Sequence, residues 1–585
     1  QWAPNHNIVI KGVAAINTFH EQTRYFQKKI KNYYNDGTFY EMFPKRQSNK
    51  GHLEFNTETF YLTADWSKDL GNDTSLNILA GYSQEESSSE LSGAMREGHL
   101  SDGVQVLDAG STDGMTNYGS LTDFSVQSVF ARMDLNIMDK YLIQANVRAD
   151  GSSRFKNDKW GTFPSFSAGW ILSEEDFLED SAINFLKVRA SWGELGNANI
   201  GNYEFAKKLS LSSAYNFGGQ LAPGVAQTTL GNPDLSWETS TTTNFGIDLL
   251  LESGIGLNLD IFETITEDIL YNLPVNSLTG FTTQLTNAAT IEKDGFELGV
   301  SYTKSFGDLN VSIQGQMSKA ENIVTELNPG LTGADDRVIN YNNTTRILGE
   351  GLPLDAFWGL QNEGIFRTAA DFSGAADHSG LGGGSQLGDL KFRDNNGDGV
   401  INADDATNVG TDYPTVTYGF NIFMDYKNWD MNMIWQGIAD AQYYGWGEIW
   451  WPYFADMVYH NMWEDSWTPS NPDASMPRTW IGESPSNMYL HDFFIYERDY
   501  LRLKNLSIGY TFDEGAVPYV DSLRVYFQGT NLLTFTDFPQ VVDPESRTGR
   551  DSSKLVGNDY QAGADRIILD YGQLKTMSLG INVKF

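Results

Sequence analysis

The sequence predicts an all-β protein: a transmembrane antiparallel β-barrel, of which about sixteen strands lie in this chain, with long extracellular loops. Three observations predict it. Hydrophobicity alternates with period two over stretches of about 9 to 11 residues, the length a tilted strand needs to cross a bilayer. Connections alternate long and short along the whole chain, as they do when turns lie on one side of a membrane and loops on the other. No apolar run reaches the roughly 18 residues of a membrane helix, and the mean hydropathy is -0.38. A barrel escapes that exclusion, because only alternate residues of each strand need be apolar.

The elements follow in order from a first strand near Asn7. Short turns are expected near Gly71, from Met138 to Lys140, from Glu174 to Ser181, near Ser253, from Ser305 to Asp308, from Lys427 to Asn428 and from Glu514 to Val520. Long loops are expected at 16–50, 83–124, 150–164, 195–240, 265–290, 320–415, 438–498 and 533–572. In SVFARMDLNI, Val129, Ala131, Met133, Leu135 and Ile137 oppose Arg132, Asp134 and Asn136, and KYLIQANVRA continues the pattern through Tyr141, Ile143, Ala145 and Val147. In SLRVYFQGTN, Leu523, Val525 and Phe527 oppose Arg524, Tyr526 and Gln528. The last stretch, TMSLGINVKF, sets Met577, Leu579, Ile581, Val583 and Phe585 against Ser578, Gly580, Asn582 and Lys584. One face suits lipid and the other a wet lumen. With the first strand rising and the last descending, both ends fall on the periplasmic side.

Composition narrows the function. At 585 residues the chain exceeds a usual single core, which a barrel whose girth grows with strand number accommodates. The absence of cysteine excludes zinc-thiolate sites, disulfide scaffolds and cysteine nucleophiles. A net charge of -36 repels phosphates, so nucleic acid is not a partner. The opening QWAPNHNIVI lacks the basic and apolar segments of a signal peptide, so the leader is expected to have been removed or the chain to begin mid-protein.

The stretch DNNGDGVINADD, residues 394 to 405, places Asp394, Asn396, Asp398, Asn402 and Asp405 at positions 1, 3, 5, 9 and 12 of a loop that turns at Gly399. Val400 offers its carbonyl. These are the oxygen donors a hard cation takes, so structural calcium is expected, the alternative being a solvated Asx-rich turn. Position 12 is Asp rather than Glu and neither flank carries a helical period, which favours a calcium-braced loop over a calcium-triggered helix pair.

Several stretches together resemble one family. RADGSSRFKNDKWGTFPSFSAGWILSEEDF from Arg148, LKVRASWGELGNANIGNY from Leu186, GDLKFRDNNGDGVINADD from Gly388, WTPSNPDASMPR from Trp467, YLRLKNLSIGYTF from Tyr500 and LRVYFQGTNLLTF from Leu523 closely resemble the SusC-like (RagA/SusC) TonB-dependent outer-membrane transporters. The resemblance implies a barrel of about twenty-two strands in a Gram-negative outer membrane. It also implies import of large nutrients, glycans or oligopeptides, under a SusD-like lipoprotein lid, with energy from TonB. On that reading, residues 1–585 are the C-terminal part of the barrel. The plug domain and first strands are expected from a further segment or a separate chain, because an open sheet would leave two edges of unpaired amides in outer-membrane lipid.

YYGWGEIWWPYF from Tyr443 clusters Trp446, Trp450, Trp451 and Tyr453 on a long loop, where aromatic faces suit contact with substrate or lid, or else packing within the loop. DGSSRF, 150 to 155, reads as the top of a hairpin. Gly380 to Gly384, GLGGG, lacks the GK[ST] of a phosphate cradle and reads as a flexible loop. His6, His20, His52, His99, His378, His460 and His491 lack the spacing of a zinc helix, and no Gly-x-Ser-x-Gly elbow is present. No catalytic residue is expected. The competing readings are a passive sixteen-strand porin, a transport-inactive scaffold in an envelope assembly, and a secreted carbohydrate-active enzyme with aromatic subsites.

Overall fold

The computed structural model describes residues 2–34, 36–327, 337–339, 346–354, 356–381, 385–445, 450–453, 460–480, 487, 489–539, 542–546 and 572–585. Among the described residues eighteen strands share one sheet. Setting aside the short strands Trp2–Asn5 and Thr534–Phe535 leaves the sixteen that the alternation predicts. Among the described residues no helix is long and apolar enough to cross a membrane. The chain divides into two compact units: Gln1–Ala168, Trp192–Thr241 and Leu270–Asn287 in the first, and Gly169–Ser191, Thr242–Ile269 and Ala288–Phe585 in the second.

In the first unit, strands Ile8–Gln27, Gln47–Gly71, Thr74–Glu97, Thr116–Ile137 and Tyr141–Ser152 pair antiparallel in chain order. The register aligns apolar residue with apolar residue. Ile10, Ala64, Ala80, Ala131 and Val147 form one row across five strands, and Trp66, Ile78, Met133 and Ala145 the next. The turn after Gly71 puts Asn72 and Asp73 at φ 51° and 53°, and the one after Ile137 puts Met138 and Asp139 at 56° and 54°. Such left-handed pairs match the twist of the flanking strands.

Two expected loops are largely sheet. The strands Gln47–Gly71 and Thr74–Glu97 run for 25 and 24 residues and stay paired out to Gln47 opposite Glu97. The expected loops at 16–50 and 83–124 therefore shrink to the connections 28–46 and 98–115, the first of which carries the hairpin Ile30–Tyr33 and Phe39–Phe43. The reason is that apolar alternation marks only the part of a strand that meets lipid. In SQEESSSELSGAMRE both faces are wet, so nothing in the side chains announces a ladder that the backbone nevertheless continues.

In the second unit, strands Ile255–Glu267, Ala289–Phe306, Leu309–Leu327, Val416–Tyr426, Trp429–Ala439, Tyr500–Phe512, Ser522–Thr530 and Thr576–Lys584 pair in succession. Ile255, Tyr302, Ile313, Ile422, Met433 and Leu506 form an apolar row here too. The opposite face carries charge. Arg189 Nη2 donates to Asp260 Oδ2 at 2.6 Å and Arg189 Nε to Asp248 Oδ2 at 3.2 Å. Its guanidinium lies over Gly246, where a Cβ would sit 2.4 Å from Cζ. Arg524 repeats the device, crossing over Gly509 to donate from Nε to Asp430 Oδ2 at 2.8 Å.

Nitroxide labels should report the two faces. In liposomes, labels at Ile261 and Ile265 are expected to be relaxed mainly by oxygen and those at Asn258 and Thr264 mainly by a water-soluble nickel complex. Equal accessibility at the two pairs would show that lipid does not cover one face alone.

Candidate functional site in the long connections

The connections between the last strands of the second unit build a core of their own, because loops of this length need buried apolar area to hold one shape. One cluster packs Phe357, Tyr443, Trp450, Trp463, Trp480 and Phe494, and a second packs Leu360, Ile365, Leu390, Phe392, Ile401 and Trp467. His491 joins them. It is fully buried, with its ring 5.5 Å from Phe392 and 5.3 Å from Phe494, and its Nε2 is 3.3 Å from the Asn487 carbonyl.

The buried carboxylate of Asp389 organises the second cluster. It accepts from Arg478 Nε at 2.7 Å, Asn487 Nδ2 at 2.9 Å and the Gln386 amide at 2.9 Å, while Asn487 Oδ1 takes the Leu390 amide at 3.0 Å. A second set ties the following connection to the sheet. Arg502, on Tyr500–Phe512, donates to Asp543 at 2.9 Å and Glu545 at 2.6 Å, and Arg498, just before that strand, donates to the Ser546 carbonyl at 3.2 Å and to the Asp412 carbonyl of an earlier connection at 2.6 Å. Burial pushes the Asp543 carboxyl up, but the amides of Glu545 and Gln573 and the Arg502 guanidinium outweigh it and hold the group below the usual carboxylate range. Sequence reading missed these anchors. The signal was Arg502 and Lys504 alternating with Leu501 and Leu503 on a strand whose polar face needed partners.

The expected calcium loop is clamped at both ends, by Phe392 before it and by Ile401 and Asp405 within it, all buried, while 395–399 are exposed. Gly397 and Gly399 take φ 75° and 86°, which bend the chain around Asp394. Asp394 accepts the amides of Gly397 at 2.7 Å and Gly399 at 2.8 Å; Asn396 accepts that of Asp398 at 2.9 Å, and Asp398 that of Val400 at 2.8 Å. Asn402 accepts the Asp404 amide at 2.7 Å. Asp405 takes the amides of Asn395 and Asn402, each at 2.9 Å, and so ties the loop's two ends together. In this conformation the three carboxylates are turned to loop amides and do not converge on one point.

Trp450 and Trp451 are 0% and 3% exposed, so their faces are spent on loop packing, the alternative the sequence left open, and are not offered to a ligand. Trp450 stacks on Tyr496 at 4.9 Å, and its carbonyl accepts from Trp463 Nε1 at 2.9 Å. Tyr453 is half-buried with φ 55°. Trp446 and Gly382 to Gly384 lie outside the described residues.

Such a sheet, apolar on one face and charged on the other and topped by self-packed connections, defines an outer-membrane barrel wall. Residues 10–532 match the family described as TonB dependent receptor-like, beta-barrel. The chain belongs to that family. It is 32% identical over 532 residues to TonB-dependent receptor P3 of Formosa agariphila, covering 87% of this chain and 50% of that protein. It is 28% identical over 450 residues to TonB-dependent receptor SusC of Bacteroides thetaiotaomicron, covering 73% of this chain and 42% of that protein. The RagAB peptide transporter structure superposes with a TM-score of 0.75 at 22% identity, over 92% of this chain and 57% of that one. The chain thus spans about half the length of the curated relatives it matches. Its place is the outer membrane of a Gram-negative bacterium.

The histidines make the connection core sensitive to acid. Burial lowers His378, whose Nε2 accepts the Phe392 amide at 3.1 Å and must therefore be unprotonated. Burial pushes His491 down to about 4. Both sit below the unfolded value of about 6.5, so the unfolded core takes up protons first: its stability is full above about pH 6.5 and falls as pH drops toward 4. For His491 the loss should approach about 3 kcal/mol. Hydrogen exchange across 360–410 and 489–495 should accelerate over that window, and His491→Phe should flatten the response. Independently, Asp389→Ala should cost about 3 kcal/mol by stranding Arg478 and Asn487, read as faster proteolysis within 360–480.

Proposed function

We propose that the protein to which this chain belongs imports large nutrients, glycans or oligopeptides, across the outer membrane with energy from TonB, and that a SusD-like surface lipoprotein closes over its long connections. The observation that carries the reading is the family match across residues 10–532, joined to connections that form a packed platform. A passive porin would need neither that relation nor a rigid platform for a lid. On this reading the chain makes and breaks no covalent bonds, cargo passes along the charged face, and the remaining barrel and plug come from the rest of the protein.

Calcium belongs to the same proposal. Asp394, Asn396, Asp398, the Val400 carbonyl and Asn402 would hold it, with Asp405 keeping the loop closed from beneath. The left-handed glycines and the amide bonds to Asp394 support this, since they leave further carboxylate and amide lone pairs for a hard cation. The ion would stiffen a loop whose ends already lie in the second cluster.

Purification of the full-length protein from mildly solubilised outer membrane should bring a SusD-like lipoprotein with it, and loss of TonB should abolish uptake of its cargo. Recovery without any lipoprotein, and uptake indifferent to TonB, would favour the porin. Chelation by EGTA should raise cleavage within 394–405 by about ten-fold while leaving the sheet intact, and Asp398→Ala should be cleaved equally with and without chelator. Identical cleavage of the unaltered protein in both conditions would remove calcium from the account.

A further inference from the structure

The ladder between Ile8–Gln27 and Gln47–Gly71 continues past its last apolar rows, and its register sets Glu54 opposite His20 and His52 opposite Gln22. Residues two apart on a strand share a face, so His20, His52 and Glu54 stand together on one side. Their ligand atoms all lie within 4.8 Å of one another. His20 Nδ1 is 3.6 Å from Glu54 Oε2, and the two imidazoles stack with centroids 5.8 Å apart and planes at 16°. Asn56 donates to Glu54 Oε1 at 2.7 Å, which orients the carboxylate and leaves Oε2 toward the histidine.

We propose that His20, His52 and Glu54 form a binding site for a divalent first-row transition metal of the zinc class, clipping the two strands together outside the membrane. Two imidazole nitrogens and one carboxylate oxygen suit zinc, nickel or copper and disfavour calcium and magnesium, which take oxygen alone. The paired strands fix the three Cβ positions. The exposed rings can turn about χ2, which is soft for histidine, to bring their lone pairs to a common point.

A plain surface ion pair would explain the approach of His20 to Glu54, but not what lies beside it. Glu90 stands directly opposite Glu54 on the next strand, and like charges so placed repel. A bound cation relieves that repulsion, on a chain whose net charge of -36 already draws cations. The site shares its face with Phe60, Leu62 and Trp66, and lies six positions beyond Phe60, about 20 Å further along the strand. It therefore points outward above the lipid belt, and with three protein ligands it keeps a coordination position open to water.

Zinc titration of the full-length protein in detergent, with calcium in excess, tests this. One equivalent should bind tightly. The double variant His20→Asn with His52→Asn should lose it, and Glu54→Gln and Asn56→Ala should weaken it by about ten-fold or more. His6→Asn should titrate as the unaltered protein does. His6, His20 and His52 are exposed and Glu54 and Asn56 half-buried, and retained heat-modifiable mobility on gels would confirm that the sheet is intact. A double variant that binds zinc with unchanged affinity and stoichiometry, or a zinc equivalent displaced by calcium, overturns the proposal.

Discussion

The backbone amide cannot be left unpaired in hydrocarbon, and this constraint organises the rest of the molecule. Each crossing strand must satisfy its amides on its neighbours, so the register of one pair propagates to the next. The row from Ile10 through Ala64, Ala80 and Ala131 to Val147 is its visible product. A slip of one residue anywhere would turn the whole apolar set of that strand to water. The tight turns at Asn72–Asp73 and Met138–Asp139 hold the register where the strands reverse.

The same constraint explains the charged face. With every second residue given to lipid, the remaining positions meet water and are the ones that can hold charge. Arg189 and Arg524 find acids by crossing a glycine, so that a long side chain lies flat on the wall where any Cβ would block it. Outside the membrane the constraint lapses, because water can satisfy amides. Shape must then come from buried side chains, which is why Asp389, Arg502 and His491 sit at junctions between connection and core.

Strands and turns were legible because a strand with lipid on one face and water on the other carries a period-two pattern. The short turns stand where Gly71, Met138, Ser253 and Lys427 place them. The strand extensions toward Gln47 and Glu97 were illegible, since a ladder wetted on both faces imposes no side-chain pattern. The burial of Trp450 and Trp451 was illegible for a different reason. Aromatic clustering specifies a strong contact but not its partner, and here the partners Tyr496 and Trp463 come from later in the same connection. Within 394–405 the donor spacing could be read directly; that Asp405 is buried and holds the loop's own amides could not.

Register also determines where acidity concentrates. Beyond the lipid belt the ladder sets Glu54 against Glu90 and Glu58 against Glu86, pairs that no local rule would place together. Each costs a few tenths of a kcal/mol when both are ionised, and the backbone bonds of a ladder this long hold them in place all the same. An acidic wall so built has standing affinity for cations, and the kind of cation is decided by what else the register brings alongside. Oxygen donors alone, such as the proposed calcium ligands of 394–405, suit a hard ion. Where imidazoles join a carboxylate, as His20 and His52 join Glu54, a softer one does. The register that turns apolar side chains to lipid is thus the one that sets His20 and His52 beside Glu54.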